Sequence, residues 1–309
     1  MEYNYDATTI MKRGFPQFHK LGAVSPNGEM TPFVWKNKLY RMELVDPGKG
    51  TDSTIHRDCG IRDCETGKFL SHLAWDSYFH SAYVEEDTAF VLGVDMKNRD
   101  TIRIYESKDL VHWENRVLLQ NPGWVYYNTA LTKGPEGYVL ILEASEPAEY
   151  VGVPFTFFFA TSPDLKTWTH MDPKLGFSKE RYMGGPWMKY VDGWYYVISV
   201  TELPCKRYTN YIYRTKDFHD WEVGPYNPLL SPTEEDRIIS SHACDDLTQE
   251  MRQQIQTGFL ASSSDMDMCD WNGKTYINYL LGNQLGFYYM AEAVYDGSVA
   301  QFLKACFDE

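Results

Sequence analysis

The sequence predicts an all-β chain folded as a five-bladed β-propeller of four-stranded antiparallel blades, one domain across residues 1–309. Three observations carry that prediction. A phrase that opens Ser/Thr-x-Asp and closes on Trp recurs at 107–113, 162–168 and 215–221. The copies lie roughly 53 to 55 residues apart, which is the length of one blade with generous loops. A second pattern, an extended run followed by a tight turn and a Tyr- or Trp-rich return, occurs at 31–40, 80–90, 128–138, 186–195 and 265–276, and each copy reads as a hairpin.

Taken in order, the hairpins carry Asn37, Asp87, Gly137, Gly193 and Gly273 at turns that tolerate positive φ. The runs 102–105, 155–159 and 211–213, just ahead of the Trp phrases, are β-branched and aromatic, as strands require. In each phrase the Ser or Thr and the Asp bond their own backbone, and the aromatic seals the turn. Residues 46–58 are rich in Gly and Asp and predict a loop over one face. Residues 228–258 break the rhythm, and polar caps with helix formers at 245–255 predict a short helix between blades four and five.

The formal charge of −14 excludes binding to phosphate backbones or anionic membrane surfaces, since no local Lys/Arg cluster offsets it. No apolar stretch approaches bilayer-spanning length, and the first residues lack the regions of a signal peptide. The expected location is cytoplasmic, or periplasmic or secreted if a leader has been removed. The six cysteines lack paired metal-ligand spacing and read as reduced thiols. Aromatic residues make up 16% of the chain, enough for sheet packing and for sugar-stacking surfaces. The sequence leaves the oligomeric state open.

The hairpins and the Trp-closed phrase, with Ser264 to Tyr279 and Gly282 to Gly286 near the end, resemble the five-bladed propeller glycoside hydrolases, the superfamily that includes families 43, 32, 62 and 117. The likeness covers roughly residues 25 to 300. It implies a general base on the first blade, a carboxylate that tunes a pKa on the second or third, and a general acid further round. Two positions depart from family 43. Thr31-Pro32 stands where that family has Asp-Pro, with Glu29 two residues earlier, and Gly184-Gly185-Pro186 stands where it has Glu-Gly-Pro.

Geometry narrows the candidates independently. The innermost strand of each blade starts at one end of the central channel and the next strand returns to that end. That filter keeps Glu29, His80, Asn128, Asp265 and Asp267 at strand starts, and Glu43, Glu143 and Glu202 at strand ends. Hydrolysis of a glycoside needs one protonated and one ionised carboxyl group. Glu143 ends the apolar run 138–142, where burial raises a carboxyl pKa and suits it to the acid role; pairing with an Arg is the competing fate. Glu202, placed by the same reasoning one blade on, is the rival acid. Glu29 is the candidate base, and a turn carboxylate on the surface is its alternative. Asp265 and Asp267 share one strand face, so their repulsion raises one pKa or draws in a cation. Asp265 joins the catalytic candidates.

Arg57, Trp75, His80, Tyr127, Asn128, Trp187, Asp267 and Gln284 are the expected sugar-binding residues, by donors and aromatic faces, although each also suits ordinary loop or core packing. The expected function is hydrolysis of a small oligosaccharide or glycoside. A phosphorylase of the same fold, holding phosphate through Arg57, Arg62 or Arg181, and a non-catalytic carbohydrate-binding propeller are the alternatives. No cofactor is required, because no Gly-rich phosphate loop opens a helix. A structural calcium ion in the acid-rich funnel fits the composition.

Overall fold

The computed structural model describes residues 16–45 and 58–307. Strand β1 (His19–Ser25) comes first, and β2 (Gly28–Trp35), β3 (Lys38–Val45), β4 (Asp58–Asp63) and β5 (Phe69–Leu73) then pair in chain order as blade 1. Blade 2 is β6 (Ser77–Glu85), β7 (Thr88–Asp95), β8 (Thr101–Ser107) and β9 (Glu114–Gln120). Blade 3 is β10 (Val125–Gly134), β11 (Gly137–Glu146), β12 (Thr156–Ser162) and β13 (Thr169–His170), with helix α1 (Ala148–Val151) in its β11–β12 link. Blade 4 is β14 (Met183–Val191), β15 (Trp194–Leu203), β16 (Arg207–Thr215) and β17 (Trp221–Val223). After helix α2 (Gln249–Thr257) come β18 (Ser262–Trp271), β19 (Lys274–Gly282) and β20 (Tyr288–Tyr295), and helix α3 (Val299–Ala305) follows. These three strands complete a sheet with β1 on its outer edge, so the ring is closed by the two ends of the chain. The predicted five-bladed propeller is the observed fold.

The Trp-closed phrases work as local chemistry requires. Ser107 Oγ accepts from the Leu110 N–H at 2.9 Å, and Asp109 Oδ1 accepts from Val111 and His112 at 2.9 and 2.8 Å. Asp164 and Asp217 accept in the same way from Lys166 and Thr167, and from His219 and Asp220. The residue after each Asp takes a positive φ, 62° at Leu110, 61° at Leu165 and 64° at Phe218. The chain reverses there, and the side-chain oxygens take the backbone donors that the reversal frees. Trp113, Trp168 and Trp221 therefore stand at matching points, at the entry to β9, β13 and β17. The helix expected at 245–255 forms as α2, between blades 4 and 5, capped by the Thr248 side chain on the Met251 N–H. The loop expected at 46–58 lies almost wholly outside the described residues.

Neighbouring blades are joined by apolar clusters, of which the largest lies between blades 4 and 5 around Ile198, Met266, Tyr279 and Phe302. The joint between blades 5 and 1 is different. Among the described residues its apolar cluster is Val24, Met30 and Met290, with Leu280 packed against them. Beside it lies a buried ionic network in which Glu43, fully buried, takes Arg62 Nε at 2.7 Å, Ser25 Oγ at 2.9 Å and Asn27 Nδ2 at 2.7 Å. Arg41 lies 3.3 Å from Glu43 and 4.0 Å from Glu292.

Closure also depends on one glycine. Gly22, with φ +93°, lets β1 bulge against the segment beyond blade 4, and a Cβ there would lie 2.2 Å from the Ile238 carbonyl oxygen. Ala23 N–H bonds that same oxygen at 2.8 Å. Gly22→Ala is expected to destabilise the fold by at least ~2 kcal/mol. A thermal melt checks this, and an unchanged midpoint would show that the closing strand adds little.

Candidate active site

Every innermost strand carries an irregularity at the same place, near its start. The register slips at Gly28/Met30, Tyr78/Ser81, Tyr126/Thr129, Gly184/Trp187 and Ser264/Asp267. Two residues of the inner strand thus oppose one residue of the next strand, and the bulged residues turn toward the channel. Glu29, Phe79, Gly185 and Asp265 reach φ values of 34°, 59°, 48° and 49° at these bulges. A narrow pocket results, with a floor volume of about 20 Å³, enough for one water-sized group. Its lining is Glu29, Met30, His80, Ser81, Asn128, Thr129, Gly185, Pro186, Asp265 and Asp267. Further along the inner strands the same channel widens to about 390 Å³ around Thr31, Ala82, Trp187 and Asp270. A larger cleft of about 420 Å³ lies between blades 3 and 4, but Glu136, Lys216 and Asp217 at its walls form no buried acid pair. Volume does not pick the site; chemistry does.

The second-strand residues opposite the bulges include two glutamates with opposite fates. Glu43 on blade 1 faces Arg41 and Arg62. Burial alone pushes its carboxyl up, but the two guanidinium charges and the Arg62 hydrogen bonds outweigh that and hold it below the ordinary carboxylate value. Glu143 on blade 3 is 2% exposed. Its Oε2 accepts from Asn128 Nδ2 at 2.9 Å and from the Gly185 N–H at 2.9 Å. Burial dominates, the Asp265 charge adds to it, and the neutral donors offset it only in part, so the Glu143 pKa is raised to about 8.

Asp265 faces Glu143 across Gly185, and Asp267 lies in the same pocket lining, bonded to Thr31. A Cβ on Gly185 would lie 2.4 Å from Asp265 Oδ1, so only glycine lets the backbone pass between the two acids. Both aspartates are partly open to the pocket yet desolvated by the surrounding protein. Burial raises the Asp265 pKa, while a 2.6 Å hydrogen bond from Ser264 Oγ works against it. Burial, against a 2.5 Å bond from Thr31 Oγ1 and with the Asp265 charge, brings Asp267 to about 7. Within the pair that flanks Gly185 burial raises both carboxyl groups, and the Asp265 charge is one of the causes that raise Glu143.

His80, Asn128, Asp267, Glu29 and Asp265 come together as the strand-start argument requires, and Glu143 lies directly beneath. The other expected residues lie in different surroundings or outside the described residues. Glu202 is exposed, and Ser199 is the residue opposite the blade 4 bulge, so Glu202 does not match Glu143. Trp75 is 56% exposed and stacks on His72 rather than reaching the pocket. Trp187 is 8% exposed and lines the wider half of the channel. Gln284 is exposed in the β19–β20 turn at φ 61°. Tyr127 lies under the Arg99 guanidinium at 3.8 Å, beside the pocket. Arg57 falls outside the described residues. Arg62 is committed to Glu43 and Asp246, and Arg181 is exposed. No group of three or more His, Cys, Asp or Glu side chains suited to a metal occurs among the described residues.

Tyr182 escaped the sequence reading. Burial pushes its phenol pKa up, and the charges of Glu143, Asp265 and Glu29 add to this, so a protonated hydroxyl sits among the acids. It precedes Gly184-Gly185-Pro186 on the start side of β14, and that position was the signal for it. Tyr182 also belongs to an arc of half-buried rings. Phe79 meets Tyr127 at 5.3 Å, Tyr127 meets Phe155 at 4.4 Å, Phe155 meets Tyr182 at 5.4 Å and Tyr182 meets Tyr208 at 5.5 Å.

No protein-family model matches the sequence, and no curated protein is similar to it. Solved structures are similar in fold. One described as a glycoside hydrolase superposes with a TM-score of 0.64 at 12% identity, covering 95% of this chain and 96% of the other. The Bombyx mori GH32 beta-fructofuranosidase BmSUC1 gives 0.55 at 12% identity over 93% of this chain and 64% of its own. A Cellvibrio cellulosa alpha-L-arabinanase complexed with arabinohexaose gives 0.52 at 11% identity over 88% and 91%. At such identities the likeness is one of fold, and the chain is a five-bladed β-propeller of the kind on which glycoside hydrolases of families 32 and 43 are built.

Proposed function

We propose that the protein hydrolyses the glycosidic bond of a small oligosaccharide or glycoside, with Glu143 as general acid and Asp265 as general base. The observation that carries this is the setting of Glu143: a buried carboxyl group, raised by burial to about 8, whose Oε2 accepts from the neutral Asn128 amide and Gly185 N–H, one glycine away from a second carboxyl. Glu143 gives its proton to the leaving oxygen as the C–O bond breaks. Asp265 takes a proton from the water whose oxygen bonds to the sugar carbon. Asp267 adds negative charge beside Asp265, and Tyr182 offers a hydroxyl to the reacting groups. The aromatic arc suits the apolar face of a sugar ring. Carbohydrate chemistry named for the structural neighbours supports the same class.

Among the described residues the pocket lining contains no Lys or Arg, and Arg57 falls outside them, so the described lining lends the phosphorylase alternative no support. A panel of nitrophenyl glycosides in phosphate-free buffer tests the proposal. Turnover without phosphate that disappears in Asp265→Asn is expected. Turnover only with phosphate, or binding of the glycosides with no product, would replace hydrolysis by one of the alternatives.

A further inference from the structure

A hydrogen-bonded chain on blade 2 joins the protein surface to the pocket. It starts at Asp76, half exposed and 3.5 Å from Arg103 Nε. The Tyr105 hydroxyl donates to Asp76 Oδ1, Tyr105 Oη lies 2.9 Å from Ser77 Oγ, and Ser77 Oγ lies 3.1 Å from His80 Nε2. Tyr105, Ser77 and His80 are all buried. Gly93, opposite the bulge, makes the room, since a Cβ there would come within 2.7 Å of both His80 Cδ2 and Ser77 Oγ.

Counting protons fixes the direction of the chain. A carboxylate only accepts, so the one Tyr105 proton is committed to Asp76. Tyr105 Oη then offers Ser77 only lone pairs, and the Ser77 proton must point at it. Turning that proton to the Ala74 carbonyl, 3.4 Å away, would leave two oxygens face to face at 2.9 Å without a hydrogen. Ser77 Oγ in turn offers His80 a lone pair, which requires a proton on Nε2. Burial pushes the His80 imidazole down to about 4, so at neutral pH the ring has one proton and Nδ1 has none. Nδ1 is buried with no partner in the protein. The Cδ2–Nε2 edge lies against Gly93, on the side away from Nδ1, and His80 is one of the residues that line the pocket.

We propose that the Asp76–Tyr105–Ser77 chain holds His80 as the Nε2–H tautomer and so presents Nδ1 as a fixed acceptor for a hydroxyl group of the bound ligand. The ligand half of the proposal rests on the carbohydrate reading of the pocket; the tautomer half does not. A lone pair aimed at the ligand welcomes an O–H and repels an anionic oxygen, so this corner selects a sugar hydroxyl over phosphate or carboxylate. His80 is here a specificity residue, and Asp76, Tyr105 and Ser77 position it.

Two-bond ¹H–¹⁵N spectra of histidine-labelled protein at pH 7 test it. His80 is expected to show a protonated Nε2 and a bare Nδ1. Tyr105→Phe, which cuts the chain but keeps the ring, is expected to give a mixture of tautomers with an unchanged melting temperature. A wild-type Nδ1–H form, or a tautomer that Tyr105→Phe leaves unaltered, would overturn the positioning role. Titration with L-arabinose, D-xylose and D-fructose should move the Nδ1 resonance while Nε2 stays fixed. If a sugar moves the Asn128 and Gly185 amides but not Nδ1, the acceptor role falls. If none of the three moves any pocket resonance, the carbohydrate reading fails and takes the ligand half with it, while the tautomer result still decides the chain.

Discussion

Glu143→Gln is expected to lose about 10² to 10⁴ in kcat while ligand binding stays near wild type, because the amide keeps the shape but has no proton to give. The loss should be smaller for an aryl glycoside whose leaving group needs little protonation. In the wild type the alkaline limb of activity should fall near pH 8, where Glu143 loses its proton. The same substitution has a stability signature of known sign. The folded pKa of about 8 lies above the ordinary 4.5, so between those values the folded protein binds a proton that the unfolded chain has released. Stability therefore falls as pH rises through this window, by up to about 1.4 kcal/mol per pH unit for one group. Glu143→Gln removes that slope. Its melting temperature should match the wild type near pH 4.5 and exceed it at pH 8, which is the trade of stability for function expected of an active-site acid. Glu202→Gln, at an exposed position, should change none of these.

Arg62→Met should produce the largest loss of stability, about 3–5 kcal/mol, because it leaves Glu43 buried with less than its full complement of cations. Arg62 supplies two hydrogen bonds to Glu43, at 2.7 and 3.1 Å, one to Asp246 at 2.6 Å, and lies 3.8 Å from the Phe69 ring. Arg41 stays, at 3.3 Å. Adding Glu43→Leu should recover only part of the deficit, since it removes the buried carboxylate but takes that partner from the buried Arg41, and a double-mutant cycle by chemical denaturation measures the coupling. The Glu43 pKa is depressed in the fold, so its contribution is present above the ordinary value of 4.5 and lost as pH falls through the folded value. The deficit of Arg62→Met should accordingly shrink on acidification.

What was legible in the sequence follows the range of the interactions. The Trp-closed phrases and the hairpin turns are satisfied within a few residues, by Ser107 and Asp109 on their own backbone and by positive φ at Asn37, Asp192 and Asn272. They could be read without a partner. The pairing of β1 with β20, which closes the ring, joins His19 to Val294 and leaves no mark in either segment. Strand-start positions were legible because the bulge recurs at the same place in every blade. Glu202 was misplaced because the end of a strand is a poorer marker than the residue opposite the bulge, which on blade 4 is Ser199. Glu43 and Glu143 occupy the same position on blades 1 and 3, and the guanidinium groups of Arg41, two residues before Glu43, and Arg62, on the neighbouring strand β4, tell them apart. Tyr182 and the other rings of the arc belong to different blades, so their convergence appears only in three dimensions.

The protonation state of Glu143 tests the account most directly. The carboxyl ¹³C resonance of Glu143, identified by its absence in Glu143→Gln, can be followed from pH 4 to pH 10 in glutamate-labelled protein. The account predicts a titration near pH 8 that moves to a lower pH in Asp265→Asn, where the neighbouring negative charge is gone. A midpoint near the ordinary carboxylate value of 4.5, indifferent to Asp265, would show an ionised glutamate at neutral pH and contradict its role as the acid.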